Sequence, residues 1–204
     1  MNNFTDDLYD SENVGKLPFW RRVYQTAFPD MVDMREHFND RTIQSKGYDR
    51  TIILKNGKNV FIEEKFRRED YKDIALEYIS NDRTGSPGWV CKPAHADYFA
   101  YAILPAGMCY LLPVQQLQSA YRYYKEVWLT DYPIIKARNT DRDGRPYNTL
   151  SVCIPYEKIL VILNNQTRVS FSLDPDYYRL DNLAKEVICR ESEQSSLRFG
   201  ATKK

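Results

Sequence analysis

Two carboxylates and an ammonium have the types and the spacing to build a cation site: Asp49, Glu63 and Lys65. In the stretch Val60-Phe61-Ile62-Glu63-Glu64-Lys65-Phe66, strand alternation puts Phe61, Glu63 and Lys65 on one face and Val60, Ile62, Glu64 and Phe66 on the other. An acid and a lysine two residues apart therefore point into the same space. Two carboxylates converging on a point make an oxygen-ligand site for a hard cation, and magnesium needs only one or two of them. A lysine beside such an ion can orient or deprotonate a water, or stabilise developing negative charge, which is the toolkit of metal-assisted phosphodiester hydrolysis.

The elements that must position these groups are readable. Thr51-Ile52-Ile53-Leu54 reads as a strand, Asn56-Gly57 as a hairpin turn, and Asn59 to Arg67 as the returning strand. The hairpin brings Asp49 towards the Glu63/Lys65 face. Upstream, Leu17-Pro18 opens a helical pattern carried by Phe19, Val23, Ala27 and Phe28, and a second short helix is expected from Met31 to Phe38. Downstream, Arg68 to Asp73 is a charged connector and Ile74 to Ile79 a third strand, so an antiparallel meander is expected. Asn81 to Gly88 reads as a loop. The apolar run Asp97 to Leu104 fits strand or helix, Met108 to Leu112 a strand, and Val114 to Trp128 a helix. Strands at Tyr132 to Ala137 and Leu150 to Ile154 are joined by a polar loop, Arg138 to Asn148, and helices are expected at Tyr156 to Leu163 and Asp176 to Arg190. Residues 1–16 read as a loose leader, 17–190 as one α/β domain and 191–204 as a polar tail.

Composition bounds the rest. The 204 residues are 43% hydrophobic, enough to bury a core, and Lys+Arg 29 against Asp+Glu 28 gives no global charge to attract nucleic acid. Any such attraction must be local. No apolar run is long enough to span a bilayer, and the polar, acidic start lacks the pattern of a secretion signal, so a cytoplasmic location without membrane contact is expected. Cys91, Cys109, Cys153 and Cys189 are scattered and read as reduced thiols rather than a zinc site. With His37 and His95 the only histidines, and no P-loop or dinucleotide fingerprint, nucleophilic hydrolase and nucleotide-binding classes lose ground.

Asp49, then a hairpin, then Glu63-Glu64-Lys65, preceded by a helix and followed by strands and a helix, resembles the PD-(D/E)XK nucleases, the restriction-endonuclease-like superfamily, over roughly residues 18–128. The stretch from Glu77 through Gly88-Trp89 to Asp97-Tyr98 is similar to small phage and bacterial members. The pattern departs from the family where Gly47-Tyr48 stand before Asp49 in place of the usual proline. The resemblance implies a mixed sheet flanked by helices, magnesium or manganese held by Asp49 and Glu63, and Lys65 serving the attacking water. It matches Glu36 to the place of an extra acidic ligand. Glu77, a lone carboxylate amid Ile74, Leu76 and Ile79, is a further candidate for the metal.

The implied activity is endonucleolytic hydrolysis of nucleic acid, DNA in the first place, with a second copy of the chain as a further partner. The segment 136–145 sets four cations, Lys136, Arg138, Arg142 and Arg145, against Asp141 and Asp143, and is a candidate arm for the phosphate backbone. The competing readings are plainer. The charges from Glu63 to Asp70 could be a solvated strand end, segment 136–145 a hairpin with a solvated turn, and the 16 tyrosines core rather than base-stacking residues. A non-catalytic nucleic-acid- or protein-binding module on the same fold is the alternative function, and a structural protein without a metal site is a third.

Overall fold

In a computed structural model the described residues are 14–38, 40, 42, 46–141, 143–164 and 168–173. Residues 1–171 form one compact unit and 172–204 a second; the elements below all lie in the first. The expected helix at 176–190 and the polar tail lie outside the described residues.

The architecture is mixed α/β. Helix α1 (Phe19–Ala27) follows Pro18 and buries Phe19, Trp20, Val23 and Tyr24, one stripe at helical spacing. Strands β1 (Met31–Glu36), β2 (Arg50–Leu54) and β3 (Asn59–Arg67) follow, then β4 (Asp73–Asn81), β5 (Ser86–Pro87), β6 (Tyr98–Ile103) and β7 (Met108–Pro113). Helix α2 (Val114–Asp131) leads to the hairpin of β8 (Ile134–Thr140) and β9 (Pro146–Pro155), helix α3 (Tyr156–Ile162) and β10 (Arg168–Ser170). None of the described helices is long and apolar enough to cross a membrane.

The strands form two sheets, a six-stranded one in the order β1-β2-β3-β6-β7-β10 and a four-stranded one in the order β5-β4-β9-β8. All pairs are antiparallel except β3 with β6, which makes the first sheet mixed. Helix α1 covers the face of this sheet that carries Ile52 and Ile62. On the other face Phe99, Tyr101, Ile103 and Leu112 meet Ile74, Leu76, Val152 and Ile154 of the second sheet, together with Leu117, Tyr121 and Trp128 of α2.

Three expectations are corrected. Residues 31–36 are a strand rather than a helix: β1 pairs along β2, and a sheet partner outweighs weak local helical preference. The expected meander of β2, β3 and β4 is not formed; the antiparallel run is β1, β2 and β3. β4 leaves for the second sheet, and the place beside β3 is taken by β6, whose buried Phe99, Ala100, Tyr101, Ala102 and Ile103 suit a strand covered on both faces. The polar stretch 138–148 is mostly ladder, because β8 and β9 stay paired out to Thr140 and Pro146, leaving residues 141–145 as the turn.

Candidate active site

The Asn56-Gly57 turn sets the register that assembles the site. Gly57 has φ +79°, and its N–H bonds to Leu54 O at 2.9 Å, closing a tight hairpin. Arg50 then pairs with Ile62, so Asp49, one residue earlier, lies opposite Glu63. Two bonds fix it there. Asp49 N–H donates to Ile62 O at 2.7 Å, and Asp49 Oδ2 accepts from Glu64 N–H at 2.7 Å. The carboxylate thus replaces the main-chain partner that β3 loses where β2 begins.

Glu63 and Lys65 share the face turned towards the second sheet. Lys65 Nζ lies 2.6 Å from Glu63 Oε1, with side chains 30% and 7% exposed respectively. Glu63 Oε2 is buried and has no hydrogen-bond partner. Burial raises the Asp49 pKa, as does Glu63, against the pull of Lys65 and of the Glu64 N–H. Burial lowers the Lys65 pKa, but the attraction of Glu63 and Asp49 outweighs it, so the ammonium is held charged. The expected trio is therefore brought together on one face.

Glu77 reaches the same cluster by another route. It sits on β4 in the other sheet, not beside β3, yet Lys65 and Glu63 both act on it electrostatically. Burial raises its pKa, opposed by Lys65, Lys92 and a bond from the Trp89 N–H. Gly88 makes that bond possible: a Cβ there would lie 2.2 Å from Glu77 O and 2.7 Å from Glu77 Cγ. Glu36 is not brought in. It pairs with Arg50 at 2.7 Å on the opposite face of the sheet, its side chain 46% exposed.

The hairpin cations fare differently. Lys136 and Arg138 lie on β8, the edge strand of the second sheet, with β9 between them and the β4 strand that carries Glu77. Arg145 is ion-paired with Asp141 and Asp143, and Asp141 also binds Arg83. Arg142 lies outside the described residues.

Behind the acids lies a buried polar hub that the sequence reading did not single out. Arg50, 1% exposed, binds Glu64 through Nε, Glu36 through Nη1 and the Gly15 carbonyl through Nη2. Glu64 also accepts from Tyr24 OH at 2.7 Å, and its Oε2 has no partner. Burial pushes the Glu64 pKa up from 4.5 to about 7, although Arg50 and Tyr24 pull it down. A signal was present: Arg50 and Glu64 fall on the apolar face of Ile52, Ile62 and Phe66, where a charge must find a partner.

Two of these acids are donors of the kind a small divalent cation takes. Glu63 Oε2 is an orphaned buried oxygen, and Asp49 has one oxygen outside its bond to Glu64, both hard ligands of the kind magnesium takes. Among the described residues no group of three or more His, Cys, Asp or Glu could hold a metal, so Glu77 stands near the acid pair rather than inside a three-acid set. No protein-family model, no curated protein and no solved structure matches the chain.

Proposed function

We propose that this chain is a metal-dependent nuclease of the PD-(D/E)XK kind, with a restriction-endonuclease-like core, that hydrolyses nucleic-acid phosphodiester bonds, DNA in the first place. The observation that carries this reading is Glu63: one oxygen is held by Lys65 Nζ at 2.6 Å, and the other is buried without a partner on the face that Asp49 joins. Magnesium or manganese bound there would acidify a water and polarise a phosphoryl oxygen. Glu63 Oε2 and the Asp49 oxygen not bonded to Glu64 N–H would hold the ion. Lys65, anchored on Glu63 and kept charged by the two acids, orients the water and stabilises the charge gathering on the phosphoryl oxygens. A proton-accepting role for Lys65 is disfavoured by the same raised pKa. Glu77 adds a further negative charge that steadies the ammonium.

The test is cleavage of single- and double-stranded DNA and RNA with magnesium or manganese. Wild-type protein is expected to cut at least one of the four, while Asp49→Asn and Lys65→Ala abolish cutting. Failure of the wild type on all four, with nucleic acid still bound, would replace the nuclease by the binding-module reading.

A further inference from the structure

The acid cluster by itself repels a nucleic acid. Asp49, Glu63 and Glu77 set three formal negative charges against the single positive charge of Lys65. A divalent ion would only neutralise the excess, so cations beside the cluster must supply the attraction for a phosphate backbone. The hairpin of β8 and β9 is poorly placed for that. Lys136 and Arg138 lie on the edge strand β8, separated from the β4 strand of Glu77 by β9, and Arg145 is paired with its own turn.

Two loops are better placed. The first, residues 46–49, leads into β2; the second, residues 88–96, follows β5. His95 N–H donates to Lys46 O at 3.2 Å, so the loops abut. Both touch the acids. A Cβ on Gly47 would lie 3.5 Å from Glu63 Oε2 and 3.9 Å from Ala94 Cβ, which puts the junction of the loops against the orphaned oxygen. The second loop folds over Glu77 through the Val90 N–H to Glu77 O bond at 3.1 Å. It is braced at Lys92 by Lys92 N–H to Gly88 O at 3.0 Å and by Gln118 Nε2 to Lys92 O at 2.9 Å. Each loop carries a lysine next to these contacts, Lys46 exposed and Lys92 half-buried. Among the described residues neither ammonium is in an ion pair or a hydrogen bond. Two cations outside any ion pair, on braced backbone and flanking two of the three acids, need no loop ordering to meet a phosphate, only the fixing of their own stems.

We propose that the abutting loops 46–49 and 88–96 form a phosphate-binding rim, in which Lys46 and Lys92 hold the nucleic-acid backbone against the acid cluster. This assignment rests on the nuclease reading and replaces the hairpin as the main backbone contact. The rim reads charge rather than sequence, because an ammonium on a flexible stem is a point donor to phosphate.

The experiment is fluorescence anisotropy with a labelled DNA, single-stranded and duplex, in calcium to withhold cleavage, from roughly 50 to 200 mM salt. Wild type is compared with Lys46→Ala/Lys92→Ala and with Lys136→Ala/Arg138→Ala, after thermal melts establish that each is folded. Removing two phosphate contacts is expected to flatten the slope of log K against log salt by about 1.4 to 1.8, independent of DNA sequence. The hairpin variant should keep the wild-type slope. An unchanged slope in the rim variant, or the same loss in the hairpin variant, overturns the rim while leaving the nuclease reading standing. Wild-type protein that binds no DNA and cleaves no nucleic acid overturns both.

Discussion

Replacing Glu64 with Gln should change how stability depends on pH, by an amount that the burial of this side chain sets. Glu64 lies behind the acid pair with one oxygen bonded to Tyr24 and Arg50 and the other unpartnered. Its pKa stands at about 7 in the folded chain against an ordinary 4.5. Between those values the folded state binds a proton that the unfolded state has released. Stability contributed by this group is therefore fully present below about pH 4.5 and lost as pH rises through about 7. At about 1.4 kcal/mol per tenfold change in proton affinity, the loss over the whole window is about 3 kcal/mol. The raised values at Asp49 and Glu77 give slopes of the same sign, and both acids are present in both proteins. Glu64→Gln removes the contribution of Glu64 together with its repulsion of Asp49, which acts in the same direction. The amide oxygen can still accept from Arg50 and Tyr24, and Arg50 keeps Glu36, so the variant should fold. Urea unfolding at about pH 5, 6, 7 and 8 would give both stabilities. The difference, variant minus wild type, should rise by about 2 to 3 kcal/mol from pH 5 to pH 8. A difference that stays flat would mean that Glu64 titrates as an ordinary carboxyl, and the buried hub as described would be wrong.

Glu77→Gln should raise the magnesium concentration needed for half-maximal cleavage several-fold while leaving the melting temperature within a few degrees, because Lys65 and Glu63 feel its charge and the fold does not depend on it. An unchanged metal requirement would remove Glu77 from the site. Gly88→Ala should cost about 1 to 3 kcal/mol in chemical denaturation, since its Cβ would come within 2.2 Å of the Glu77 carbonyl oxygen, which is backbone and cannot swing aside. Wild-type stability in that variant would mean that the loop relaxes freely around Glu77.

What the sequence made legible was local. The Asn56-Gly57 turn and the alternation through Glu63 and Lys65 fix both the hairpin and the shared face, because register in a two-strand ribbon follows from its turn. Glu77 was singled out by its chemistry, a lone acid in an apolar strand, although the strand was placed in the wrong sheet. The destination of β4 was not legible, because a short charged connector such as residues 68–72 serves equally for a hairpin and for a change of sheet. β1 looked helical because nothing local to Met31–Glu36 announces its partner β2. Arg50 and Glu64 sat in plain view on an apolar face, but recognising them as a pair required applying the hairpin register to the face away from the site. The lysines of the rim were invisible for a different reason: Lys46 and Lys92 lie 46 residues apart in sequence, and their loops come together only in the fold, at the His95–Lys46 backbone bond and beside Gly47.

The central claim, that Asp49 and Glu63 share a divalent cation with Lys65 beside it, is tested most directly by calorimetric titration of magnesium and manganese into the metal-free protein. Wild type should bind one ion. Asp49→Asn and Glu63→Gln should each weaken binding by at least about tenfold, because a neutral amide cannot replace a ligand's charge. Lys65→Ala should bind at least as tightly, since it frees Glu63 Oε1 from the ammonium now 2.6 Å away. A wild type that takes up no ion, or acid variants that bind as well as it does, would contradict the account.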